Sequence, residues 1–135
     1  MVRRILVVDD NLDAATTLAR ILRLDGHEVD VAHDGAAALS SARRLRPEFV
    51  FLDIGLPGMD GFQVAESLRR EPGLERMKVI AVTGSASEDD RRRLRDAGVD
   101  YYLVKPVDMD LVVSLVGGRP STWRGRFRPP NPDRR

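Results

Sequence analysis

Five short apolar segments recur along the chain, at residues 5–8, 28–32, 49–52, 79–82 and 101–104, separated by stretches with helical spacing. Three of them, Ile-Leu-Val-Val, Phe-Val-Phe-Leu and Val-Ile-Ala-Val, are apolar without interruption, the pattern of parallel strands covered on both faces. The second alternates, Glu28-Val29-Asp30-Val31-Ala32, which suits an edge strand with one wet face. The fifth opens on two tyrosines and runs into Lys105, and it too reads as an edge. With strands 1, 3 and 4 inside and 2 and 5 outside, the order 2-1-3-4-5 keeps every crossover right-handed.

The helices between them have readable ends. The first carries Leu12, Ala15, Leu18, Ala19 and Leu22 at helical spacing and stops at Gly26, a good residue just past a helix end. The second starts on Asp34 as N-cap, runs through Leu39, Ala42 and Leu45, and ends before Pro47. The third follows Asp60-Gly61 with Phe62, Ala65 and Leu68, and ends before Pro72-Gly73. The fourth, about 87–97, has only Leu94 and Ala97 as apolar anchors, the mark of a locally weak element. The fifth opens at Asp108 and places Leu111, Val112 and Leu115 toward a core. The pattern predicts an α/β domain, a doubly wound five-stranded parallel sheet with five helices.

At 135 residues the chain has the length of one domain. Its 42% hydrophobic and 32% charged residues exclude collagen-like and wholly disordered chains. No apolar run approaches the ~18 residues of a membrane span, and the start, Met1-Val2-Arg3-Arg4, has no secretory h-region. A cytoplasmic domain without a membrane partner is the expectation. The absence of cysteine removes disulfides, thiol catalysis and cysteine-based zinc sites. The net charge of +1 is divided: six arginines against Asp133 give residues 117–135 a charge of +5, leaving −4 on the rest. Residues 1–117 therefore read as the domain and 118–135 as a basic Gly/Pro/Arg-rich tail, too short for a DNA-binding helix-turn-helix output domain.

Ligands of an open parallel sheet bind beyond the carboxyl ends of the strands where strand order reverses, here between strands 1 and 3. Strand 1 ends in Asp9-Asp10, strand 3 in Asp53, strand 4 in Thr83 and strand 5 in Lys105. Two like charges about 4 Å apart repel by on the order of 4 kcal/mol at an effective dielectric near 20. A carboxylate trio with one lysine needs another cation, and an oxygen-rich cup with room for water suits Mg²⁺. Taken singly, Asp9, Asp10 or Asn11 reads as a helix N-cap, Thr83 as a strand end and Lys105 as a surface lysine. Asp53 ending a fully apolar strand is harder to explain that way, because an unpaired buried carboxylate is costly.

Val7-Val8-Asp9-Asp10-Asn11, Leu52-Asp53-Ile54-Gly55-Leu56-Pro57-Gly58-Met59-Asp60-Gly61, Val82-Thr83-Gly84 and Tyr102-Leu103-Val104-Lys105-Pro106 together closely resemble the receiver domain of two-component response regulators, over about residues 3–117. The resemblance implies a flavodoxin-like fold. Asp53 would take a phosphoryl group from a phosphohistidine on a sensor histidine kinase or histidine phosphotransfer protein. Asp10, Asp53 and the Gly55 carbonyl would bind Mg²⁺ directly, with Asp9 acting through water. Thr83 and Lys105 would bond phosphoryl oxygens, which is positioning and charge neutralisation. Thr83 and Tyr102 would form the switch, with Tyr102 turning from exposed to buried. The face of the fourth helix, fifth strand and fifth helix, with the Arg91-Arg92-Arg93 run, would meet partners or a second copy. A cis bond before Pro106 is frequent in the family. Gly55 and Ser85 stand where the family tunes phosphoryl lifetime, and both are small; Tyr101 stands where small or polar residues are commoner.

Two alternatives remain open. An aspartyl-phosphate phosphatase-like enzyme would need Asp-x-Asp after its first strand, whereas Asp108-Met109-Asp110 follows the fifth. A degenerate receiver serving only as a binding module would not need all five polar positions. No P-loop or dinucleotide-binding glycine motif is present, and His27 and His33 form no ligand pair.

Overall fold

The computed structural model describes residues 2–55 and 60–117. The expected tail at 118–135 and the Leu56–Met59 part of the resemblance lie outside these residues. Five strands, β1 (Arg4–Val8), β2 (Glu28–Ala32), β3 (Phe49–Asp53), β4 (Lys78–Thr83) and β5 (Tyr101–Val104), alternate with five helices. The helices are α1 (Leu12–Leu24), α2 (Gly35–Leu45), α3 (Gly61–Arg69), α4 (Glu88–Asp96) and α5 (Met109–Val116). All ladders are parallel and the order is β2-β1-β3-β4-β5, as the apolar pattern predicts.

Strand side chains alternate between faces, so each uninterrupted strand feeds two cores. Leu6, Val8, Val50, Leu52, Val79 and Ala81 pack on one side against Ala38 and Ala42 of α2, Val64, Ala65 and Leu68 of α3, and Leu94 of α4. Ile5, Val7, Phe51, Ile80 and Val82 pack on the other against Ala15, Ala19 and Leu22 of α1 and Val112 and Leu115 of α5. Helices on both faces keep the four crossovers right-handed.

Local chemistry sets the ends. Asn11, Asp34, Asp60, Ser87 and Asp108 are the N-caps, each accepting a backbone N–H of the first turn. Gly26 follows α1 at φ 94°, a conformation that favours glycine. Leu94 is the one buried side chain within α4, as its sequence implies.

Two apolar expectations fail. Leu111 is 44% exposed, because it lies about a quarter-turn from the buried stripe of Val112, Leu115 and Val116. Leu12 is 61% exposed; it faces the right way but occupies the first turn of α1, beyond the end of β1.

Gly61 marks a close approach between α3 and the loop after β3. A methyl at that position would sit 2.7 Å from Ile54 Cα and 2.9 Å from Ile54 O, both backbone atoms. Gly61→Ala should therefore lower stability by about 1–3 kcal/mol, as overpacking does. The check is the urea midpoint; an unchanged midpoint would mean that the loop yields without resistance.

Candidate functional site

The parallel ladders carry the ends of β1, β3, β4 and β5 to one rim. Asp53 is the last residue of β3, in register with Val82, and Thr83 is the last of β4. Backbone bonds extend this order past the strands: Ile54 N–H donates to Val82 O at 2.9 Å and Lys105 N–H to Thr83 O at 2.8 Å. Asp9 N–H donates to Ala32 O at 3.0 Å, fixing Asp9 on the rim. The Lys105–Pro106 bond is cis, as the resemblance suggests.

Asp53 is 5% exposed and both its oxygens are engaged. Oδ2 accepts Lys105 Nζ at 2.8 Å, and Oδ1 accepts the Gly55 N–H at 2.9 Å. The hydrogen bond to Asp53 holds the Lys105 ammonium charged above its ordinary pKa, partial burial opposes this, and the charges of Asp53, Asp9 and Asp10 reinforce it. Asp9 accepts the Asn11 N–H at 2.9 Å. Burial pushes the Asp9 carboxyl up; the Asn11 N–H pulls it down, and the charge and hydrogen bond of Asp53 push it up again. An acid raised in the folded state binds protons more tightly there than when unfolded. Its contribution to stability therefore falls as pH rises through the unfolded value toward the folded one. The Asp53 charge is thus one of the causes that raise Asp9, and the Lys105 charge opposes it.

Asp10 lies on the same rim but is exposed, and it acts on Lys105 only as a further charge. Thr83 is buried; its hydroxyl donates to Ser85 O at 2.9 Å and accepts the Ser85 N–H at 3.2 Å. Tyr102 is half-buried and packs against the core on the α2–α3–α4 side. The structure thus brings Asp9, Asp53 and Lys105 into contact, with Gly55 beside Asp53. Asp10 stands at the edge, and Thr83 is turned toward its own loop.

A cleft of about 520 Å³ opens beside these groups, lined by Asp9, Asn11, Asp53, Lys105 and Pro106 at its polar end. Among the described residues no three His, Cys, Asp or Glu side chains form a ready metal cage. The donor set is instead two carboxylates in contact, an exposed third and the Gly55 backbone. That fits a hard cation taking one or two carboxylates and keeping its waters, and the Asp9–Asp53 repulsion is what such a cation would relieve. His27 Nδ1 accepts the Arg3 N–H at 3.0 Å, while His33 Nδ1 bonds Asp9 O at 2.9 Å; they do not form a pair.

Several polar connections escaped the sequence reading. Ser85, Ser87 and Asp90 form a chain leading from Thr83 into α4, and only the Ser87-x-x-Asp90 spacing could have signalled it. Arg93 of α4 lies over the Phe62 ring of α3, 3.9 Å from its centroid, a contact with no sequence signature. Among the described residues no helix is long and apolar enough to cross a membrane.

Comparison with known proteins gives one answer throughout. Residues 5–116 match the response regulator receiver domain family. The transcriptional regulatory protein PrrA of Mycobacterium tuberculosis is 43% identical over 113 residues, 84% of this chain and 48% of that protein. The DNA-binding response regulator MtrA of the same species is 37% identical over 119 residues, 88% of this chain and 51% of that protein. The chain thus spans about half the length of these relatives. MtrA is named a DNA-binding response regulator, which goes against the expectation of a receiver with no DNA-binding output domain. Among solved structures, the CheY-like receiver domain protein of Methanospirillum hungatei superposes with a TM-score of 0.77 at 31% identity, covering 87% of this chain and 92% of that one. A putative response regulator of Chloroflexus aurantiacus gives 0.79 at 27% identity, covering 90% and 99%. With its sheet order, its rim of Asp9, Asp53, Thr83 and Lys105 and these matches, the chain belongs to the receiver domains of two-component response regulators, a family of signalling domains.

Proposed function

We propose that this receiver accepts a phosphoryl group on Asp53 from a phosphohistidine of a sensor histidine kinase or histidine phosphotransfer protein. The observation that carries this is the Asp53 carboxylate, buried at the end of a central strand and held 2.8 Å from the Lys105 ammonium. A carboxylate oxygen of Asp53 attacks phosphorus as the P–N bond breaks and its electron pair returns to the imidazole. Lys105 neutralises charge on the phosphoryl oxygens, and the Thr83 hydroxyl donates to another once released from Ser85. Asp9, Asp10, Asp53 and the Gly55 carbonyl would hold Mg²⁺, which when bound supplies the second positive charge that the cup lacks.

The phosphatase-like alternative loses its motif, because Asp108 caps α5 and accepts the Asp110 N–H at 2.9 Å. A binding-only receiver has no use for the ion pair at Asp53. The readout surface is the α4–β5–α5 face, which carries Val104 and Leu111, 43% and 44% exposed; of the Arg91-Arg92-Arg93 run on α4 all three are exposed, and Arg93 lies over Phe62 of α3. It suits a homodimer or an output partner, in the cytoplasm where the kinases of this family work.

With a small phosphodonor such as acetyl phosphate and Mg²⁺, the protein should gain one acid-labile phosphoryl group at Asp53, and chelation by EDTA should suppress it. Peptide mapping after borohydride trapping locates the group. Stoichiometric label at any other residue would overturn the assignment.

A further inference from the structure

The ladder between β1 and β2 ends at Val8 and Ala32, and one further bond, Asp9 N–H to Ala32 O at 3.0 Å, lies past that register. The next backbone acceptor on β1's side, the Asp9 carbonyl, stands beyond the ladder. His33, the residue after β2, supplies its donor: Nδ1 lies 2.9 Å from Asp9 O. A carbonyl only accepts, so the ring donates from Nδ1, and the neutral tautomer keeps its lone pair on Nε2. Asp9 is held a third time through its side chain, where Oδ1 accepts the Asn11 N–H at 2.9 Å.

The oxygen that His33 holds belongs to the peptide group between Asp9 and Asp10. A peptide group is planar, so fixing its oxygen fixes the plane from which both Cα atoms, and with them both carboxylates, project. Asp10 is exposed, and the backbone that carries it sets its direction. The mount is firm on both sides of His33. Ala32 before it is buried and paired in the sheet, and Asp34 after it caps α2 by accepting the Ala37 N–H at 2.7 Å.

We propose that His33 is a positioning residue for the cation site: by holding the Asp9–Asp10 peptide from the end of β2, it sets the directions of the two carboxylates that the end of β1 offers to Mg²⁺. This rests on the reading of Asp9 and Asp10 as groups that hold the cation, and deepens it. The effect runs through the backbone, since the ring itself takes no place among the ligands. Partners behind a metal ligand orient it before the ion arrives. Without the His33 bond, part of the binding free energy goes into ordering the peptide.

The test titrates the full chain and three variants with MgCl₂ and follows the amide NMR shifts of Asp10 and Gly55. His33→Ala removes the donor, and His33→Gln carries its amide nitrogen farther out, near the place of Nε2. His33→Asn puts an amide N–H close to the place of Nδ1 and keeps the bond. The Ala and Gln variants should each weaken Mg²⁺ binding about fivefold, the scale of one net hydrogen bond, and the Asn variant by less than about twofold. Without metal and with the ring neutral, the ring ¹⁵N shifts of the wild type should place the proton on Nδ1. The Asp9 carbonyl ¹³C shift should change in the Ala and Gln variants and be kept by Asn. A role confined to shaping the turn between β2 and α2 predicts lower melting points with equal Mg²⁺ affinity in all four proteins, and that result would overturn the proposal. A wild-type ring protonated on Nε2 would overturn it too, since the bond to Asp9 O would be absent. If the wild-type Asp10 and Gly55 amides do not respond to Mg²⁺, the cation reading fails and the role of His33 falls with it. The ring ¹⁵N and Asp9 carbonyl shifts, recorded without metal, tell that failure from a failure of the His33 bond.

Discussion

Asp53→Asn is expected to reduce phosphoryl uptake to background while leaving the domain at least as stable as before. Asparagine keeps the shape, and its oxygen can still accept the Gly55 N–H that meets Asp53 Oδ1 at 2.9 Å. A neutral amide has neither the charge nor the nucleophilicity to attack phosphorus. Removing one member of a buried ion pair ordinarily destabilises by ~3–5 kcal/mol, because the other charge is stranded. Here the remaining charge belongs to Lys105, whose side chain is 48% exposed and has Asp9 and Asp10 as further neighbours. The substitution also removes the charge and hydrogen bond by which Asp53 pushes Asp9 up. Asp9 should titrate lower in the variant, and with its folded pKa nearer the unfolded value less stability is lost as pH rises through that range. Intact mass after phosphodonor treatment, a thermal melt and carboxyl-detected NMR of Asp9 check the three parts. A variant that melts well below wild type would show that the Asp53–Lys105 pair stabilises the fold more than the Asp53 charge beside Asp9 destabilises it.

The sheet was legible because three strands are apolar on both faces and must be interior, whereas Glu28-Val29-Asp30 must be an edge. The site was legible because the chemistry-bearing residues follow the apolar runs directly; Asp53 and Thr83 prove to be the last residues of β3 and β4. The sparse burial of α4 was equally plain from Leu94 standing almost alone. The direction in which Thr83 spends its hydroxyl proton was not legible, since a threonine at a strand end carries no mark of its rotamer. Leu111 was misplaced because a helix of eight residues gives its apolar stripe little length in which to declare a centre. Side chains that bond backbone across distant elements leave no periodic trace at all, and Arg69 is the strongest example.

Arg69→Ala is expected to lower stability by about 3 kcal/mol, at the lower end for breaking a buried charge pair since both partners keep some exposure. The guanidinium at the end of α3 donates to Met77 O at 2.7 Å, to Gly98 O at 3.1 and 3.0 Å, and to Asp100 Oδ2 at 2.5 Å. Asp100 Oδ2 also accepts the Val79 N–H at 2.8 Å. One planar fork thus joins the end of α3, the approach to β4 and the loop between α4 and β5. The side chains of Arg69 and Asp100 are 18% and 23% exposed, so water reaches the group only partly once the arginine is gone. Two carbonyls and a carboxylate then lack their donor. For a domain of this size the loss corresponds to a melting point lower by on the order of 10 °C. Arg69→Lys should recover less than half of it, because one ammonium cannot span two carbonyls and a carboxylate. Urea unfolding with an unchanged m value is the measurement, and a loss under about 1 kcal/mol would mean that water replaces the guanidinium. Arg69 also bonds the carbonyl of Gly98, which ends α4 at φ 90°. The same brace that holds the base of β4 and β5 therefore pins the C-terminal end of α4. Among the described residues the N-terminal end of α4 has no such brace: Ser87 caps it, and Ser85 links Ser87 back to Thr83.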